Sequence, residues 1–243
     1  MTGLRAVLFD MGGTLFSYKG FEESRRQSLQ DLRSWLGIEA DDAALGAAFA
    51  EGQRRAFAEF TDRPFYLHRD LFRAARRYGA MALGAEINDD MMLNYERASR
   101  GRHDQAFRLR LGVHETLEEL RRRGFYLGLV SNIDEEQLWE FVALGGFQPR
   151  FDSILSSEAA RSCKPDSGIF LEALQRAGCA PHEALYVGDT PDHDIVGAGR
   201  VGLRSVLIIE ETELAFPRGA CTPDHTIHEL PELLELPGLS AAG

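Results

Sequence analysis

Apolar positions along the chain follow two patterns. Five short runs are apolar almost without interruption: Ala6 to Phe9, Tyr126 to Val130, Ser153 to Leu155, Leu185 to Val187 and Ser205 to Ile209. Continuous rather than alternating runs of this length predict strands of a parallel sheet whose two faces are both covered by helices. Between the last four runs, apolar residues recur at helical spacing. Val113, Leu117 and Leu120 predict a helix ending before Gly124, and Leu138, Phe141 and Val142 a second ending near Gly145. Phe170, Leu174 and Ala177 predict a third between Pro165 and Gly178. Strand–helix alternation of this kind predicts an α/β fold built on a doubly wound parallel sheet.

The gap between the first and second runs has a different pattern. From about Phe21 to Gly101 the periodicity is helical throughout. Leu29, Leu32 and Leu36 share one face; Leu45, Phe49, Ala56 and Phe60 share another; further helices are expected over Leu67 to Ala82 and Ile87 to Ser99. The reading is a core domain made of residues 1–18 and 103–243, with a helical bundle of residues 19–102 inserted after the first strand.

Composition narrows the function classes. The chain has 243 residues, 44% of them hydrophobic and 27% charged, which suits a globular protein. No apolar run approaches a membrane span, and the N-terminus lacks a basic-then-apolar leader, so neither a membrane nor a secreted protein is expected. Cys163, Cys179 and Cys221 are odd in number and lack metal spacing, which fits reduced thiols in a cytoplasm. A formal net charge of −11 repels a phosphate backbone, so nucleic acid is not an expected partner. Of 27 basic residues only two, Lys19 and Lys164, are lysines, so each stands out.

Ligands of open parallel sheets bind at the carboxyl ends of the strands. The first strand there delivers Asp10, followed by Met11, Gly12, Gly13 and Thr14. The second delivers Ser131 and Asn132, the segment after the third carries Lys164 before Pro165, and the fourth delivers Asp189, with Asp194 following. A carboxylate can attack phosphorus to give an acyl-phosphate. A hard cation held by carboxylates neutralises phosphoryl oxygens, and a lysine and a hydroxyl add fixed donors. Three clustered aspartates also need positive charge beside them, which Mg²⁺ and Lys164 would supply.

These four segments, Asp10-x-x-Gly-Thr, Ser131-Asn132, Lys164-Pro165 and Gly188-Asp189-x-x-x-x-Asp194, resemble in order and spacing the four motifs of the haloacid dehalogenase (HAD) superfamily. The inserted helices resemble its α-helical cap, so the resemblance covers essentially the whole chain. It implies a Mg²⁺-dependent hydrolase, a phosphatase acting on a small phosphorylated metabolite, with the cap closing to exclude water and choose the substrate. By the same resemblance, Asp10 is the nucleophile and a metal ligand, and Ser131 and Lys164 hold the phosphoryl group, with Thr14 and Asn132 beside it. Asp189 and the Gly12 carbonyl ligate the metal, and Asp194 acts on the metal through water or by positioning Lys164.

Gly12 departs from the pattern. Phosphatases of this family carry a second aspartate there, which protonates the leaving oxygen and activates water; losing such a group costs about 10²–10⁴-fold in rate. The alternatives are a slow or inactive phosphate-binding, regulatory protein and a phosphonate- or halide-cleaving hydrolase. The intact Asp189 and Asp194 argue against the metal-free dehalogenase branch. Lys19 reads as a solvated linker residue, His193 as a solvated loop histidine, and the pairs Arg25-Arg26, Arg54-Arg55 and Arg76-Arg77 as exposed helix faces.

Overall fold

The computed structural model describes residues 3–210 and 222–239. The chain divides into two compact units, a core of residues 1–17 and 108–243 and an inserted unit of residues 18–107. Six strands form the core sheet: β1 (Ala6–Phe9), β2 (Tyr126–Ser131), β3 (Ser153–Ser156), β4 (Ala184–Gly188), β5 (Arg204–Ile208) and β6 (His225–Ile227). They are all parallel, in the order β3-β2-β1-β4-β5-β6. The chain thus crosses from β1 through β2 to β3 on one side and through β4 to β6 on the other, which makes the sheet doubly wound with β1 and β4 at its centre. The sixth strand is an addition to the five expected from apolar runs. Its three residues are polar enough at His225 and Thr226 to hide it, as suits a short edge strand.

The inserted unit is four helices: α1 (Phe21–Leu36), α2 (Asp42–Phe60), α3 (His68–Ala82) and α4 (Asp89–Ala106). Asp41 and Asn88 cap α2 and α4 by accepting from the backbone N–H groups of Ala44 and Met91 at 2.7 and 2.9 Å. Helix α4 runs past the expected Ser99 to Ala106, because nothing stronger than Gly101 interrupts it. The unit therefore ends at Phe107 rather than at residue 102. Leu32, Leu45, Phe49, Ala80, Ile87, Met92 and Tyr95 make its interior. Helices α2 and α3 cross at two glycines: a Cβ on Gly52 would lie 2.4 Å from the Ala75 carbonyl oxygen, and one on Gly79 would lie 2.6 Å from the Phe49 ring.

Helices α5 (Val113–Arg122), α6 (Glu135–Leu144), α7 (Ser157–Ala160), α8 (Ser167–Ala177) and α9 (Val196–Arg200) complete the core. One apolar layer of the core joins Leu8 and Val130 to Ile169, Phe170, Leu174, Tyr186 and Ala198. Between β4 and α9 the chain makes a π-helical turn, Pro191–Ile195. Among the described residues no helix is long and apolar enough to cross a membrane. Cys163 is buried and Cys179 half-buried, while Cys221 lies outside the described residues.

Candidate active site

Parallel strands run their carboxyl ends to one edge of the sheet, and the core unit collects its chemistry there. Asp10 follows β1 directly. Its N–H donates to the Val187 carbonyl at 2.8 Å, which extends the β1–β4 ladder by one residue and leaves the carboxylate at the sheet edge with 7% exposure. The loop beyond it folds back on itself, with Leu15 N–H donating to Met11 and Gly13 N–H to Phe16. Arg110 braces this loop. Its backbone N–H donates to the Leu15 carbonyl at 3.0 Å, and its guanidinium donates to the Gly13 and His228 carbonyls, each at 2.7 Å.

Lys164 is 3% exposed, and its ammonium makes three bonds: to Asp10 Oδ1 at 2.7 Å, to Asp194 Oδ1 at 2.6 Å and to the Tyr186 hydroxyl at 3.0 Å. Asn132 holds its backbone at both ends. The Asn132 Nδ2 donates to the Lys164 carbonyl at 2.9 Å, and the Lys164 N–H donates to Asn132 Oδ1 at 2.7 Å. The carboxamide expected to touch substrate is thus engaged in anchoring the lysine. Ser131, the last residue of β2, is buried. Thr14 is fully buried, and its hydroxyl has no hydrogen-bond partner among the described residues.

Asp194 lies in the π-helical turn, 1% exposed, with both oxygens engaged. Oδ1 accepts from Lys164 and lies 3.2 Å from the Tyr186 hydroxyl, while Oδ2 accepts from the Thr190 N–H at 2.9 Å. Of the two roles expected for it, this geometry matches the positioning of Lys164. The turn comes so close to β4 that a Cβ on Gly188 would lie 2.3 Å from Asp194 Cγ, so that position accepts only glycine. Asp189, the residue after β4, accepts from the Thr190 hydroxyl at 3.2 Å.

The electrostatics follow from crowding acids in a dry place. Burial raises the Asp10 carboxyl to about 6, against the pull of Lys164 and with the push of Asp194. Burial first, then Asp10 and Asp194, hold Asp189 well above the usual carboxylate range. Burial alone would lower Lys164, but Asp10 and Asp194 outweigh it and raise the ammonium well above its ordinary value. One ammonium therefore faces three carboxylates. Oxygen atoms of Asp10, Asp189 and Asp194 approach within 4.8 Å of one another, and such a set of hard oxygen donors with excess negative charge fits a divalent cation.

Tyr186 and Arg110 were not among the expected site residues. A tyrosine in the otherwise apolar stretch Ala184–Gly188 does carry a signal, since a buried phenol needs a hydrogen-bond partner. Arg110 carries none. His193 differs from the expected solvated residue. It sits half-buried in the π-helical turn, and burial, with Lys164 second, lowers its pKa. In the inserted unit Lys19 is exposed, and Arg26, Arg54 and Arg77 pair with Glu23, Glu51 and Asp89 on open helix faces.

Comparison with known proteins agrees with this fold. The family model for haloacid dehalogenase-like hydrolases matches residues 69–208, more than half of the chain. The glyceraldehyde 3-phosphate phosphatase of Methanopyrus kandleri is 31% identical over 219 residues, covering 84% of each chain. The pyrophosphatase PpaX of Bacillus velezensis is 29% identical over 157 residues, 65% of this chain and 72% of that one. The crystal structure of YfnB from Bacillus subtilis, described as a HAD-hydrolase bound to magnesium, superposes with a TM-score of 0.75 at 20% identity, over 96% of this chain and 98% of that one. The chain belongs to the haloacid dehalogenase-like hydrolase family. It is a hydrolase, and its sequence relatives include enzymes named as phosphatases.

Proposed function

We propose that the protein is a Mg²⁺-dependent phosphatase of small phosphorylated metabolites, working through an aspartyl-phosphate on Asp10. The observation that carries this reading is the buried Lys164 held between Asp10 and Asp194 with Asp189 beside them, an arrangement with more carboxylate than the lysine can neutralise. Asp10, Asp189 and the Gly12 carbonyl would hold the metal, which when bound supplies charge neutralisation for the phosphoryl oxygens. Asp10 attacks phosphorus with the oxygen that Lys164 does not hold. The bond from phosphorus to the leaving oxygen breaks, and that oxygen takes its electron pair and a proton from water. Lys164 orients Asp10 and sets its positive charge toward the phosphoryl group, and Ser131 would hold that group through the transfer, with Thr14 beside it. Water then attacks the aspartyl-phosphate, releasing phosphate and restoring the Asp10 carboxylate.

Gly12 supports a second reading in which the same intermediate forms but breaks down slowly, because position 12 offers no side chain to protonate the leaving oxygen or to activate water. An assay with an aryl phosphate and Mg²⁺, comparing the native chain with Asp10→Asn and Gly12→Asp, separates the two. Metal-dependent release that disappears in Asp10→Asn is expected. A burst followed by slow turnover, accelerated in Gly12→Asp, assigns the missing group to the second step. No release and no phosphoenzyme over a broad panel of metabolites would refute both.

A further inference from the structure

The Lys164 ammonium has three hydrogens to donate, and three partners accept them in hydrogen bonds: Asp10 at 2.7 Å, Asp194 at 2.6 Å and the Tyr186 hydroxyl at 3.0 Å. The two carboxylates supply all the charge. A lysine stem is flexible and its ammonium bonds as a point charge with rotatable donors, so two anions alone leave it free to swing about the line between them. A third, neutral and rigid acceptor removes that freedom.

Tyr186 is such an acceptor. It comes from the middle of β4, is 0% exposed, and its ring meets Phe170 edge-on with centroids 5.0 Å apart. The hydroxyl also lies 3.2 Å from Asp194 Oδ1 and 3.2 Å from the Val130 carbonyl oxygen. With Lys164 donating to the phenol oxygen, its single hydrogen is left for one of those two acceptors, so the hydroxyl is fixed from two sides. Packing alone asks for nothing but a ring here. Phenylalanine would fill the position without burying a polar group, so the desolvation of the hydroxyl is offset only by the bonds it makes.

We propose that Tyr186 is a positioning residue: its hydroxyl fixes the Lys164 ammonium against Asp10, and through it the orientation of the carboxylate that attacks phosphorus. The kinetic half of this inference rests on the phosphatase reading above, and the orientation of the ammonium does not.

The scarcity of lysines makes the test direct. In a nitrogen–proton correlation spectrum of the lysine ammonium groups, the whole chain has only Lys19 and Lys164 to contribute, and the Lys164 signal is assigned by its loss in Lys164→Ala. In Tyr186→Phe its hydrogen exchange is expected to quicken about tenfold, as a hydrogen bond protecting a buried group is lost. Hydrolysis of an aryl phosphate with Mg²⁺ is expected to fall about tenfold in kcat with KM changed less than about twofold. In the Lys164→Ala background the tyrosine substitution should cost nothing further, since it acts through a lysine that is no longer there. Unchanged ammonium exchange and unchanged kcat in Tyr186→Phe would overturn the proposal, even alongside a lower Tm, and so would a full-sized kcat loss in the Lys164→Ala background. Should wild type release no phosphate, the phosphatase reading and the kinetic half fail together, and the ammonium exchange still decides whether Tyr186 holds Lys164. Tyr186→Met, which fills similar space without a hydroxyl, repeats the comparison if Tyr186→Phe does not fold.

Discussion

The two units of this chain treat charge in opposite ways. The core buries Asp10, Lys164 and Asp194 at the end of its sheet. The inserted unit keeps Arg26–Glu23, Arg54–Glu51 and Arg77–Asp89 on open faces, and even its more enclosed pair, Arg73–Glu96, is only half-buried. Its stability comes instead from apolar packing and from the close glycine crossing of α2 and α3. Buried ion pairs are seldom needed for stability, because the cost of desolvation is comparable with the attraction gained. The ion pairs described above for the inserted unit lie at or near its surface, so the buried charges of the core are better explained by chemistry than by folding.

That contrast can be broken or sharpened at four points. The largest effect is expected from Lys164→Met, which removes the cation held between Asp10 and Asp194 and should cost about 3–5 kcal/mol in urea unfolding. A loss no larger than that of a surface substitution would mean the core does not depend on this balance.

Next comes pH. Burial holds the Asp10 carboxyl at about 6 in the folded chain against 3.8 for the free group. Between those values the folded state binds a proton that the unfolded state does not, so a lower pH favours folding. The penalty is present in full above the folded value and fades as pH falls through the window. A shift of this size corresponds to about 3 kcal/mol. Without added metal, Asp10→Asn is therefore expected to be more stable than wild type at neutral pH and to lose that advantage towards the free carboxylate value. Denaturant midpoints across the range check this, and a constant difference would contradict it.

In the inserted unit, Gly79→Ala drives a methyl into Phe49 and should destabilise that unit by about 1–3 kcal/mol, read by hydrogen exchange of α2 and α3. Exchange unchanged there would show that the helices separate easily. The smallest effect is expected from Arg54→Ala, which removes an exposed pair and should shift stability by less than about 0.5 kcal/mol in thermal unfolding.

The same contrast separates what was legible in the sequence from what was not. Strands β1 to β5 stood out because buried parallel strands are apolar on both faces. Strand β6 did not, because His225 and Thr226 lie at the sheet margin. Asp10 and Asp189 were legible as residue types at strand ends, and Lys164 and Asp194 in the segments that follow. Their partners were less so, because hydrogen bonds across the sheet join residues far apart in sequence: Asn132 to the Lys164 backbone, Tyr186 to the Lys164 ammonium, Arg110 to Gly13. The π-helical turn at Pro191–Ile195 was illegible too, since no residue pattern distinguishes it from a loop, yet it sets the approach of Asp194 to Gly188.

The stitching of the chain at the ends of the insert has a consequence of its own. Phe16 and Leu109 form an antiparallel bridge, and the Ser17 N–H donates to the Arg108 carbonyl at 3.0 Å, so residues 18–107 leave and rejoin the core through neighbouring backbone. Closing a loop costs entropy that grows only with the logarithm of its length, so the core is penalised little more for ninety inserted residues than for a much shorter turn. Within that bridge, evolution can lengthen, shrink or exchange the insert while the sheet keeps its register. The catalytic core and the helical unit are in this sense separately inheritable parts, joined by a seam two residues wide.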